Sequence, residues 1–154
     1  MMNKSTEFFA LPTEVKDKYV KHGNYYGYYR PGDKLTTYTH HIHEVREMWD
    51  VPGIVGSWKA PKYPEEVPEL QPAMEDLTEE CRALLKKVLL GMAKALKLQD
   101  ESYMEKVHQS MNDDKVESKS TIRCLYYPPL PENVELPPNA IRCRSHTDFG
   151  TITM

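Results

Sequence analysis

The order of the elements predicts an α+β fold, helix-forming sequence first and strand-forming sequence after it. Two segments carry that expectation. An apolar stripe at helical period (Leu77, Cys81, Leu84, Leu85, Val88, Met92, Leu96) runs behind Pro72, with Lys86, Lys87 and Lys94 off the stripe. Further on, Ser120 to Tyr127 is rich in β-branched and aromatic residues and is closed by Pro128-Pro129. A proline-rich excursion from Pro128 to Pro138 then leads to two more expected strands, Ile141 to Ser145 and Gly150 to Met154. The last strand meets the chain's end at Met154 with no polar tail, so the fold is expected to be incomplete.

Taken in order, Phe8-Phe9-Ala10-Leu11 reads as the end of one helix. Pro12-Thr13-Glu14-Val15-Lys16 reads as the start of a short second helix, because proline suits a helix's first turn. Gly23 to Gly32 alternates glycine with tyrosine and predicts a loop or short strand, its tyrosines lying as amphipathic lids. Pro52, Pro61, Pro64, Pro68 and Pro72 make residues 52–72 an extended connector. The stripe behind Pro72 needs a partner surface and marks a scaffold helix, in which Leu84→Ala is expected to cost about 2–5 kcal/mol. A shorter helix is expected from Glu101 to Met111, with Met104, Val107 and Met111 on one face.

Composition narrows the function classes. The 154 residues suffice for one domain or part of a larger one. With 20 Lys+Arg against 23 Asp+Glu the net charge is -3, and a nucleic-acid footprint would need a clustered basic excess. No apolar run reaches the roughly 18 residues of a membrane-spanning helix, and Met1 to Ser5 lack the apolar core of a secretory signal. Cys81, Cys124 and Cys143 are odd in number and form no Cys-x-x-Cys, which favours free thiols in a reducing compartment over disulfides or structural zinc. The expectation is a cytoplasmic chain with neither a membrane nor a nucleic acid as partner. Its oligomeric state is not legible.

The sharpest candidate for chemistry is His146-Thr147-Asp148. On a strand, residues i and i+2 share a face, so imidazole and carboxylate can converge on one ion. Together they supply two corners of the facial triad that binds Fe(II) in non-haem oxygenases. The plainer alternative is a turn in which Asp148 bonds nearby backbone before Gly150. His40, His41 and His43 lie close together without a third donor at metal-like spacing, and are read as a polar surface segment. His108 reads as a boundary residue on its helix, while Arg142 and Arg144 either line a barrel or face solvent. The glycine-rich nucleotide motifs and the Gly-x-Ser-x-Gly elbow are absent.

Ile122-Arg123-Cys124-Leu125-Tyr126-Tyr127-Pro128-Pro129, followed by Arg144-Ser145-His146-Thr147-Asp148-Phe149-Gly150-Thr151-Ile152-Thr153, resembles a known pattern. It is similar to the isopenicillin N synthase-like branch of the Fe(II)/2-oxoglutarate-dependent dioxygenases. There an Arg-x-x-Tyr-Tyr-Pro strand precedes a His-x-Asp strand, and a Gly-x-(Ile/Leu)-Thr strand follows. Phe8-Phe9-Ala10-Leu11-Pro12, the Gly-Tyr motif and the long helix also match that family, so the resemblance covers nearly the whole chain.

The resemblance implies a distorted jelly roll (a double-stranded β-helix) with helices packed outside. Residues 1–115 would be the N-terminal helical region and residues 116–154 the start of the jelly-roll domain. It implies His146 and Asp148 as two iron ligands and Tyr127 as a hydrogen-bond donor to 2-oxoglutarate, its alternative being an ordinary buried tyrosine. By alternation Arg123, Leu125 and Tyr127 share a face directed into the barrel, although many members carry asparagine where Leu125 stands. The implied cofactors are Fe(II) and 2-oxoglutarate, with ascorbate helpful. The implied partners are O₂ and a small organic substrate, and the co-products are succinate and CO₂. The family's second iron-binding His and its Arg-x-Ser, which would grip 2-oxoglutarate, find no match before Met154, so the chain is expected to be an inactive fragment truncated at both ends. Two other readings stand beside this one. One is an oxygenase of the same branch that uses no 2-oxoglutarate, and the other is a non-catalytic interaction module.

Overall fold

A computed structural model of the chain describes residues 1–21, 26–30, 43–108, 120–129, 140–143, 145–148 and 150–154. Helices α1 (Met2–Phe9) and α2 (Thr13–Lys16) come first, and Pro12 caps α2 as its composition predicts. Strands β1 (Gly27–Tyr29), β2 (His43–Glu44) and β3 (Glu47–Pro52) follow. Then come the long α3 (Leu70–Ala95), the short α4 (Tyr103–Val107), β4 (Thr121–Tyr126) and β5 (Ala140–Ile141). The fold is α+β, but strands precede the long helix, so the simple order of helices before strands does not hold.

The main sheet has the order β1-β3-β4 and both pairings are antiparallel. Its centre, β3, has both faces buried, although Glu47 and Asp50 interrupt its apolar run. Each carboxylate has a dedicated partner. Glu47 Oε2 accepts hydrogen bonds from Lys16 Nζ and from Tyr28 Oη, both at 2.6 Å. Asp50 takes a two-point ion pair from Arg123, with Nε to Oδ1 and Nη2 to Oδ2 both at 2.7 Å. Paired in this way, charge can sit in a buried strand. The smaller sheet joins β2 to β5 in parallel, and Val45 N donates to Ile141 O at 2.9 Å.

The core lies where α1 and α3 meet the inner face of the main sheet. Phe8 is fully buried and stands edge-on to Phe9, Tyr19, Tyr28 and Trp49, with ring centroids 4.8 to 6.5 Å apart. Phe9 stacks on Tyr126 of β4. Met74 of α3 meets Cys124 of β4, sulfur to sulfur, at 3.5 Å. Tyr26, Tyr28 and Tyr29 are buried, so these rings are core rather than lids; His22 to Tyr25 fall outside the described residues. Lys16 also donates to Phe9 O at 3.0 Å, occupying one of the carbonyls that the end of α1 leaves open.

The helix behind the connector starts at Leu70, so Pro72 lies in its first turn, where its missing N–H costs no bond. The connector itself folds into turns: Ala60 N donates to Ser57 O, and Val67 N to Pro64 O, which tucks Val67 and Pro64 inside. The stripe is displaced from the face that is buried. Leu70, Met74, Thr78, Leu89 and Ala93 are buried, while Leu84 is 51% exposed and Leu96 62%. Thr78 can join the core because its hydroxyl donates to Met74 O at 2.7 Å, within its own helix. Leu84 therefore does not carry the burial cost expected of it. Leu89→Ala should destabilise the chain by about 2–5 kcal/mol, and Leu84→Ala should stay within about 0.5 kcal/mol, as read from urea melts of the two variants.

Two further expectations are corrected. Residues 142–143 form a bend and residues 145 and 150–154 no strand, so among the described residues of the two expected late strands only Ile141 is in one, at the end of β5. Side-chain hydroxyls bond there instead: Thr151 Oγ1 meets His108 Nε2 at 2.9 Å and Thr153 Oγ1 donates to Asp148 Oδ2 at 3.0 Å. Helix α4 ends at Val107, which is 54% exposed rather than on an apolar face, and Met111 falls outside the described residues. All three cysteines are free. Among the described residues no helix is long and apolar enough to cross a membrane.

Candidate functional site

The segment after β5 bends at Arg142 and Cys143 and then runs irregularly through His146 and Asp148. Strand alternation is therefore not what brings these two side chains together. Even so, His146 Nε2 lies 3.3 Å from Asp148 Oδ1, with both side chains about half exposed. The other carboxylate oxygen is held by Thr153. On the far side of the imidazole, Nδ1 lies 4.0 Å from Cys143 Sγ, and Arg46 Nη1 donates to that sulfur at 3.8 Å. The ring thus has a carboxylate at one nitrogen and a thiol at the other. Neither Thr153 nor Cys143 is singled out by the sequence, although Cys143 stands only three positions before His146.

Tyr127 follows directly on β4. In that strand Ile122, Cys124 and Tyr126 turn to the core, while Arg123 and Leu125 turn away from it. Arg123 and Leu125 share the predicted face, on the side of the sheet away from Phe8 and Met74, and Tyr127 lies one residue beyond the strand. Tyr127 is 39% exposed. Behind β4, burial pushes the Cys124 thiol up to about 11 and the Tyr63 phenol up to about 12, so both stay protonated in the core at neutral pH.

The remaining candidates are structural or lie elsewhere. His108 Nδ1 donates to Met104 O at 2.6 Å while its Nε2 meets Thr151, so it ties α4 to the end of the chain. Arg142 is exposed and donates to Pro128 O at 2.8 Å. His40, His41 and Arg144 fall outside the described residues, and His43 lies in β2. Among the described residues no three His, Cys, Asp or Glu side chains gather as a metal site would need.

Residues 1–73 match a family model, the N-terminal region of the non-haem dioxygenases in morphine synthesis. Homoarginine-6-hydroxylase 2-ODD-C23.1 of Arabidopsis thaliana is 30% identical over 96% of this chain and 45% of its own length. Probable flavonol synthase 5 of the same plant is 28% identical, over 97% of the chain and 41% of its length. A solved protein of Caulobacter crescentus, assigned to the 2OG-Fe(II) oxygenase family, superposes with a TM-score of 0.64 at 26% identity. It is matched over 86% of this chain and 43% of its own. The chain belongs to the Fe(II)/2-oxoglutarate-dependent dioxygenase superfamily. A full-length Neurospora crassa protein, solved in complex with alpha-KG and thymine, shares the fold at 22% identity and a TM-score of 0.57, over 82% of this chain and 40% of its own. The chain spans less than half the length of the curated relatives it matches.

An Fe(II) ion of this superfamily would suit the donors His146 and Asp148. A neutral imidazole nitrogen and a carboxylate oxygen are the types that non-haem iron takes, and here they point at a common space. Together they would supply two of its protein ligands.

Proposed function

We propose that this chain carries two of the iron ligands, His146 and Asp148, of an isopenicillin N synthase-like Fe(II)/2-oxoglutarate-dependent dioxygenase that oxidises a small organic molecule. The observation that carries the reading is the 3.3 Å approach of His146 Nε2 to Asp148 Oδ1 within the superfamily's His-x-Asp motif. Bound together, Fe(II) and 2-oxoglutarate supply the O₂-dependent oxidation whose co-products are succinate and CO₂.

The chain's own residues have definite tasks. His146 offers the Nε2 lone pair, which requires its proton to sit on Nδ1, the nitrogen facing Cys143. Asp148 supplies one negative charge against the divalent ion, and Thr153 keeps its second oxygen from turning away. Tyr127 offers a phenolic O–H to a carboxylate of 2-oxoglutarate. A jelly roll begun by β4 and continued one residue further would put Tyr127 on its inner wall, since the face of Arg123 and Leu125 is turned from the helices.

Two protein donors hold iron loosely, because water fills the other positions. The 154-residue chain is therefore expected to release no sustained succinate from 2-oxoglutarate when Fe(II), ascorbate and O₂ are supplied. Sustained release that His146→Ala abolishes would overturn the two-donor reading and place a third ligand within the chain, His40 and His41 being the first to test.

A further inference from the structure

We propose that the Asp50–Arg123 pair selects the register of β4 against β3, which makes Asp50 a positioning residue for Tyr127. In the observed register Asp50 stands opposite Arg123, Trp49 opposite Cys124 and Val51 opposite Ile122. A slip by one residue would turn Arg123 and Leu125 into the core, and the hydrophobic pattern forbids it. The same pattern does not forbid a slip by two. In one direction Trp49 would then face Tyr126 and Val51 would face Cys124, and in the other Trp49 would face Ile122, so the apolar residues of the inner face would still meet apolar partners around Trp49.

The outer face tells these registers apart. A two-residue slip places Asp50 opposite Leu125 or Thr121. Its side chain is only 2% exposed, so the carboxylate would be left buried without its guanidinium. Arg123 meets it through Nε and Nη2 at 2.7 Å each, a planar fork that fits one position along the strand. Gly53 marks the same register. Its N–H donates to Ser120 O at 2.9 Å, and a Cβ there would come within 2.8 Å of Ser120 Cβ. At about 3.4 Å per residue, a two-residue slip would carry Tyr127 roughly 7 Å along the sheet. That consequence for 2-oxoglutarate rests on the function proposed above, whereas the register itself does not.

The test uses the full chain with both partners made apolar, Asp50→Leu/Arg123→Leu, and reads backbone cross-strand NOEs (Hα–Hα and HN–HN) between residue 50 and residues 121, 123 and 125, which only directly opposed residues give. The expected result is a folded chain in which contacts of residue 50 with 121 or 125 mark a second register in about a tenth or more of the molecules. Contacts with 123 alone, as in the unsubstituted chain, would overturn the proposal. Should the double variant not fold, Arg123→Lys keeps the charge but loses the fork, and its NOEs are read in the same way. If neither variant folds, the pair holds the sheet together rather than choosing its register, and the proposal fails. A shifted register with unchanged 2-oxoglutarate binding, measured by calorimetry with Fe(II) present, supports the register lock and counts against the role of Tyr127.

Discussion

Phe8→Ala is expected to lower the stability of the chain by about 3–5 kcal/mol, a large part of what a domain of this size commonly has. The ring has no exposed surface and four aromatic neighbours edge-on to it, drawn from α1, the turn after α2, β1 and β3. Removing it takes away the transfer energy of a whole aromatic side chain and the edge-to-face contacts together. The cavity would open where two helices and the sheet meet, with stiff rings around it that collapse poorly. Urea unfolding followed by tryptophan fluorescence reads the loss directly, since Trp49 is one of the four neighbours. Phe8→Leu, which keeps much of the volume, should cost clearly less.

Glu47→Gln should cost a comparable amount, about 3–5 kcal/mol, for a different reason. The carboxylate receives Lys16 and Tyr28 on one oxygen, and the Lys16 side chain is 6% exposed. An amide in its place can still accept a hydrogen bond but leaves the ammonium buried with no counter-charge, beside Phe9 O and the Tyr28 ring. The penalty is that of the stranded cation, not the worth of the pair. Lys16→Met/Glu47→Leu should therefore be much more stable than Glu47→Gln alone. Two-state urea melts of the single and double variants decide it. Equal destabilisation in both would mean that the pair contributes ordinary packing.

These two sites also show what the sequence made legible. The helices, the strand before Pro128 and the α+β class follow from periodicity and punctuation, because those signals are local. The phase of α3 does not. Its buried face includes Thr78 and Ala93, whose burial depends on a back-bonded hydroxyl and on small volume, while Leu84 and Leu96 stay out. Strand β3 was hidden for a similar reason. Glu47 and Asp50 look like solvent residues until Lys16 and Arg123, 31 and 73 positions away, are seen to pair with them. At the candidate site the His-x-Asp spacing was legible, but not the way it closes. The convergence depends on a bend after β5 and on Thr153, where an extended strand was expected.

Anaerobic titration of the full chain with Fe(II), followed by calorimetry, asks directly whether His146 and Asp148 share an ion. One weak site is expected, with affinity reduced at least about tenfold in His146→Ala and again in Asp148→Ala, while His108→Ala leaves it unchanged. Equal affinity in the unsubstituted chain and in both ligand variants would contradict the assignment and move the iron elsewhere.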